Sequence, residues 1–427
     1  MAKASCMIKK IQSGGYDHVF SSIYGHESIR AQRERYIETI LGFERYYGEE
    51  RDISVYSAPG RVELCGNHTD HNNGVVMAAA INLDIVAVVS KSGGDVIRLR
   101  SRGFEGEDAV RVTSLVPDHA ERGHSSAMIR GIASAFAGRG GNLGAFDAYT
   151  SSDVLKGSGL SSSAAFEVCV GAIINWEYNG GRFDALTVAL IGQHAENEFF
   201  GKPSGLMDQT ACSAGGAVTI DFENPSLPAI ERVPLDLASY GLRLVVTDTK
   251  GDHSNLTEEY AAIRSEMESV ADVFGKRCLR EVGYGNFKAR IADVRRITGD
   301  RAVIRAAHFF EECRRVREAA SAIKSGDISR WMELMIECGH SSFEFNQNAY
   351  SIKSPEHQGI SVGLAVSQGI LRGRGAWRLQ GGGFAGTIQA FVPDSLLDEY
   401  RAALGGIFGP GSCHVLRVRH EGGLKIE

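Results

Sequence analysis

The chain predicts an α+β fold in two lobes, and three observations carry that expectation. Short strand-like runs separated by Gly and Asp turns fill residues 54–113, helical patterns follow, and strand-like runs return after residue 376. The stretch 223–240, stiffened by Pro225, Pro228 and Pro234, reads as the link between the lobes. The length of 427 residues suffices for one large domain or two of ordinary size.

In order, residues 1–52 read as an N-terminal extension of one or two helices, with Ile29, Tyr36, Ile40 and Phe43 near helical spacing. Strands are predicted over 75–81, 84–89, 96–100 and 109–113, then over 144–155, where the chain runs into a Gly/Ser loop. The run from Phe166 to Trp176 is apolar nearly all round, as a buried helix would be. A helix over 186–200 and a strand over 217–222 complete a lobe of residues 53–222. The second lobe, 223–427, opens with a strand over 242–247. Leu256, Tyr260, Ile263, Met267, Val270 and Phe274 then mark an amphipathic helix, with Asn255 and Glu258 as a variant capping box. A helical hairpin over 303–325 and 328–339, broken at Gly326-Asp327, precedes strands over 377–380, 387–392 and 414–418.

Composition narrows the function. Apolar content of 43% and charged content of 23% are those of a soluble globular chain. A net charge of −6 without a basic tract disfavours nucleic acid and anionic membrane as partners and leaves a small molecule. The start MAKASCMIKK lacks an apolar signal core, and no uncharged apolar stretch approaches the ~18 residues that span a bilayer, so a cytoplasmic protein is expected. The eight cysteines are dispersed without a CxxC pair and read as free thiols.

Four stretches carry chemistry. In Lys156–Ala165, glycines precede hydroxyls and hydroxyls precede a helix, whose unpaired N–H groups and positive dipole end face the loop. That order suits an anion, although a Ser/Gly linker capping a core helix has the same look. Pro59–Gly74 places Arg61, Asn67, His68 and Asp70 close together, which suits a polyhydroxylated ligand or, more plainly, an Asx-rich turn. Glu196 and Asp208, with Gly205 before the latter, read as acids of a site or as a solvated face and a helix cap. Leu379–Gly386, with three successive glycines, lets backbone approach a ligand closely or forms a loose hairpin.

Taken together, PGRVELCGNHTDHN at 59–72, GSGLSSSA at 157–164, MDQ at 207–209 and GGGFAG at 381–386 resemble the ordered motifs of the GHMP small-molecule kinases, and among them the galactokinases. The resemblance implies the two-lobed GHMP kinase fold, with a mixed or antiparallel first sheet, an antiparallel second sheet and the active site in the cleft between the lobes. It implies an ATP- and Mg²⁺-dependent sugar 1-kinase, acting on galactose or on a relative such as N-acetylgalactosamine, arabinose or galacturonate. A non-catalytic sugar sensor is the alternative. In either case a monomer or weak homodimer is expected. Residue by residue, it implies that Gly157, Ser158, Gly159, Leu160, Ser161, Ser162 and Ser163 cradle the ATP phosphates, with Gly382 closing over them. Ser163 and Glu196 would hold Mg²⁺. Asp208 would accept the proton of the anomeric hydroxyl, with Arg61 holding it ionised. Arg61, Asn67, His68, Asp70, Gly205, Asp208 and Tyr260 would hold the sugar. The first motif departs from the galactokinase pattern PGRVNLIGEHTDYN: Glu63 stands where Asn is expected, Asn67 where Glu is expected and His71 where Tyr is expected. The loss of the family's acid at Asn67 raises the expectation of an altered sugar preference.

Overall fold

The chain enters a sheet through a two-residue strand, β1 (Ala2–Lys3), and then makes three helices rather than one or two: α1 (Ala4–Gln12), α2 (Asp17–Tyr24) and α3 (Ile29–Tyr47). The structure is a computed structural model that describes residues 2–154, 159–251 and 256–426. Phe20, Tyr24, Tyr36, Ile40 and Phe43 of these helices are buried, and they pack on Val55, Val86 and Val88 of the sheet behind them. Each such side chain stabilises the docking by about 1.5–3 kcal/mol.

Two long strands follow, β2 (Asp52–Cys65) and β3 (Val75–Lys91). The second takes up both short strands expected at 75–81 and 84–89. No turn forms between them because Asn82 and Asp84 serve other ends. Asn82 exchanges hydrogen bonds with the backbone of Arg417, and the Asp84 carboxylate is a fully buried acceptor. Arg35 Nη1 reaches it at 2.7 Å, Tyr24 Oη at 2.6 Å and Arg419 Nη1 at 3.1 Å, and Ser57 Oγ also donates to it. One carboxylate thus ties the N-terminal helices, β2, β3 and the segment after residue 417 together.

The first sheet continues with β4 (Val96–Ser101), β5 (Asp108–Arg111), β6 (Phe146–Ser152), β7 (Ala217–Asp221) and β8 (Ala229–Val233), in the order β1-β2-β3-β6-β4-β5. Its pairs are antiparallel except β4 with β6. On its edge away from β2, strand β3 serves two further partners, β6 through residues 85–91 and β7 through 75–79. Residues 223–240, read from sequence as a link, contain β8, which extends the first sheet beyond β7. Helices α4 (Ser125–Gly138), α5 (Ser162–Asn179), α6 (Ala185–His194), which runs on into a π-helical turn at Ala195–Phe200, and α7 (Met207–Ala214) accompany this sheet. Strand β9 (Leu242–Asp248) opens a second sheet.

Helices α8 (Thr257–Asp272), α9 (Leu279–Val282), α10 (Tyr284–Ala289), α11 (Ile291–Thr298), α12 (Asp300–Ser325) and α13 (Ile328–Ser341) form the helical part. The last two are the expected hairpin: Gly326 ends α12 in the left-handed region and the Asp327 carboxylate caps the Arg330 N–H. After α14 (Gly359–Leu371) come β10 (Ala376–Gln380), β11 (Thr387–Pro393), α15 (Leu397–Phe408) and β12 (Cys413–Leu416), giving a four-stranded antiparallel sheet of order β10-β11-β9-β12. The chain then returns to the first sheet, where β13 (Leu424–Lys425) pairs with β2. No helix among the described residues is long and apolar enough to cross a membrane. The expected cap Asn255 lies outside the described residues, and Glu258 is spent on an ion pair with Lys353.

Candidate active site

Strand β2 is irregular where it carries its functional side chain. Its register with β3 shifts between Pro59 and Arg61 and again between Glu63 and Cys65, so Arg61, paired with Ala80, sits on a short stretch of ladder between two irregularities. Its N–H donates to Leu160 O at 3.1 Å, and its Nη1 to the Gly159 carbonyl at 2.5 Å. The rest of the guanidinium forms a two-pronged bond with Asp208, Nε to Oδ1 and Nη2 to Oδ2, both at 2.8 Å.

Asp208 stands in the first turn of α7, and Ser161 Oγ also donates to it. Burial pushes the Asp208 carboxyl upward, but the charge of Arg61 and the bonds from Ser161 and Arg61 outweigh it and hold the group below the usual carboxylate range. A third of the Asp208 side chain remains exposed while Arg61 is 7% exposed, so the ion pair has one open side.

Leu160 is fully buried, Ser161 precedes α5, and Ser162 and Ser163 open it. The described part of the Gly/Ser loop therefore lies against the Arg61–Asp208 pair, with the helix N-terminus behind it. Gly157 and Ser158 lie outside the described residues. Seven non-glycine residues among those described have positive φ, and His68 (57°), Ser161 (58°) and Phe384 (60°) surround this place. Such backbone is sparsely populated and persists where surroundings over-determine it, as at a site.

Residues of the first motif, with Tyr260 and Gly381–Gly383, line the other side. His68 Nε2 meets the Gly382 carbonyl at 2.9 Å, and its ring stacks on Tyr260 with centroids 6.4 Å apart. Tyr260 Oη donates to Gly383 O at 3.0 Å, and Gly382 has no room for a β-carbon against the Tyr260 ring. Gly382, expected over the phosphates, is thus held by His68 and Tyr260, while its neighbour Gly381 approaches Gly159. Asp70 lies against Gly205, where a β-carbon would collide with its carboxylate. Burial raises the Asp70 carboxyl; His68 opposes this, and Asp208 adds to it. Asn67 is buried with its amide engaged by Glu63, Gly381 and Asn348.

Glu196 lies in the π-helical turn at 2% exposure; its Oε1 takes Lys202 Nζ at 2.8 Å and its Oε2 takes Gln209 Nε2 at 2.9 Å. The same Gln209 nitrogen donates to Glu167 Oε2 at 2.9 Å. Burial and the charge of Glu196 push the Glu167 carboxyl well above its ordinary value. Sequence reasoning missed Glu167, Lys202 and the bridging role of Gln209. The signal for Glu167 was available, a single acid inside the apolar run 166–176, since an acid on a buried helix must be paired or neutral.

Known proteins resemble this chain in sequence and in fold. A model described as the galactokinase galactose-binding signature matches residues 42–91, and one for the GHMP kinases N terminal domain matches residues 127–216. A curated relative, the galactokinase of Streptomyces coelicolor, is 33% identical over 384 residues, which cover 88% of this chain and 94% of that protein. Among solved structures, Lactococcus lactis galactokinase complexed with galactose is similar at a TM-score of 0.79 and 22% identity, covering 92% of this chain and 100% of that one. Methanococcus jannaschii mevalonate kinase is similar in fold at a TM-score of 0.60 and 14% identity, covering 85% and 98%. With a relative of this identity and coverage and both models in agreement, the chain belongs to the galactokinase family of GHMP kinases.

Proposed function

We propose that the protein transfers the γ-phosphoryl group of ATP to the anomeric hydroxyl of α-D-galactose, giving galactose 1-phosphate and ADP. The observation that carries this reading is the two-pronged Arg61–Asp208 pair, one side open, at the N-terminus of α5. Phosphoryl transfer asks for positioning and charge neutralisation more than covalent help. The loop 157–163 and the α5 N-terminus bind the nucleotide phosphates through N–H and hydroxyl donors. His68, Asp70 and the Gly205 backbone hold the sugar hydroxyls, and Tyr260 packs behind them. Asp208 aligns the anomeric O–H and takes its proton on a carboxylate oxygen as the sugar oxygen bonds to phosphorus. Because Arg61 keeps Asp208 ionised, its part is orienting and electrostatic as much as basic.

A buried carboxylate and a serine hydroxyl are hard oxygen donors, so Glu196 and Ser163 fit Mg²⁺, with the Lys202 ammonium now beside Glu196. When bound, the cation neutralises charge on the ATP phosphates. We place the enzyme in the cytoplasm, as a monomer or weak homodimer, with residues 53–222 and 223–427 as its lobes apart from β8 and β13, which join the first sheet.

The test is ADP release by purified protein with galactose, 2-deoxygalactose, N-acetylgalactosamine, arabinose, galacturonate and glucose. Turnover led by galactose is expected. A different leading sugar would reassign the acceptor, and silence with retained calorimetric binding of sugar and ATP would make the protein a sensor.

A further inference from the structure

Glu63 and Asn67 are two of the positions at which the first motif departs from its family pattern, and in the structure their side chains touch. Asn67 Nδ2 donates to Glu63 Oε1 at 3.1 Å and to the Gly381 carbonyl at 2.8 Å, and Asn67 Oδ1 accepts from Asn348 Nδ2 at 2.8 Å. A side-chain amide has two N–H donors, and both are engaged. Asn67 is 1% exposed and Glu63 3%, so neither presents a free polar group to a ligand.

The charge in this pocket is balanced across the two sheets. Glu63 Oε1 accepts from Arg378 Nη2 at 2.7 Å, and Arg378, fully buried on β10, also donates to the Leu64 carbonyl. Gln389 of β11 donates to Glu63 O at 2.7 Å. From α12, His308 Nε2 meets the Asn67 carbonyl at 2.8 Å and Glu312 accepts the Gly66 N–H at 3.0 Å. Residues 63–67 are thereby fixed to the second sheet and the helical hairpin just before His68 and Asp70.

A carboxylate at 67 would face the Glu63 carboxylate at hydrogen-bond distance with one arginine for both, which burial penalises heavily. The family pattern avoids this with the same two residue types in reverse order, an amide at the first position and an acid at the second. We propose that Glu63 and Asn67 form a reciprocal carboxylate–amide pair in which Asn67 is a positioning residue. It sets His68 and Asp70 against the glycine loop and does not contact the sugar, so its difference from the family leaves the acceptor unchanged. This rests on the sugar-kinase reading for its kinetic consequence but not for the pair itself.

The test is a double-mutant cycle with isosteric changes, Asn67→Asp, Glu63→Gln and both together, read by thermal melting without ligand and by separate KM values for galactose and ATP. Asn67→Asp is expected to lower the melting midpoint by roughly 5 °C and to raise the galactose KM about tenfold with the ATP KM unchanged. Glu63→Gln, which strands Arg378, is expected to do the same. The double variant should recover most of both losses and keep the wild-type order of sugars. Additive losses in the double variant would overturn the pair. Unimpaired folding of Asn67→Asp with a new order of sugars would make Asn67 a contact residue. Coupled melting in a protein that turns over no sugar would leave the pair standing and remove the sugar-kinase reading.

Discussion

Asp84 and Asp208 are both carboxylates held by arginine and a serine hydroxyl, yet one closes a scaffold and the other opens onto a cleft. Asp84 is fully buried with Arg35, Arg419, Tyr24 and Ser57 around it. Asp208 has one arginine and one serine and keeps a third of its side chain exposed. In each, the arginine charge overcomes the upward push of burial and leaves the carboxyl below its ordinary range. Charge state therefore does not distinguish them. What differs is an unfilled side, left free for a hydroxyl that arrives with the substrate.

The largest effect that can break this comparison is on turnover. Asp208→Asn should lower kcat by about a thousandfold or more while nucleotide binding is kept, with a modest fall in melting midpoint because Arg61 loses its carboxylate. Near-normal kcat in a steady-state assay would put Asp208 outside the chemistry. Asp84→Ala should do the reverse. It strands Arg419 and weakens the hold on Arg35, so unfolding in urea should show a loss of about 3–5 kcal/mol, with normal kcat in the molecules that remain folded. A stable Asp84→Ala protein would show the buried cluster to be dispensable.

The smallest effect sharpens the comparison through pH. Because both aspartates titrate below the ordinary carboxylate range, neither drains stability above pH 5. His308 does: burial pushes its imidazole down to about 4, from the ordinary 6.5, despite the nearby Glu312. Between these values the unfolded chain binds a proton that the folded one refuses, so stability is full above 6.5 and falls as pH drops toward 4. The expected slope from this group is about 1.4 kcal/mol per pH unit, and His308→Gln should remove that share in melts across the range while leaving the share of His71, whose imidazole burial also pushes down.

Arg61, Asp208 and the Gly/Ser loop were legible because each lies in a contiguous motif whose spacing states its purpose. Asp84 was not. An Asp between two apolar runs has the look of a turn, and its arginines lie 49 and 335 residues away, where no local pattern reaches. The same limit hid β8 and β13, strands of five and two residues that exist because β7 and β2 offer them edges. The second sheet was readable in order because its strands are apolar runs bounded by glycine turns. The Glu63 and Asn67 exchange was visible as two departures, but their contact depends on the bulged end of β2.

The return of residues 417–425 to the first sheet bears on how the protein is made. Asp84 emerges from the ribosome 335 residues before Arg419. At ordinary translation rates, that is a delay of roughly 15–70 s. Throughout it, the buried bed around Asp84 holds a carboxylate with half of its counter-charge, and β2 has an edge without β13. The first sheet is therefore completed only once residue 425 has been made, and until then β2 carries an open strand edge.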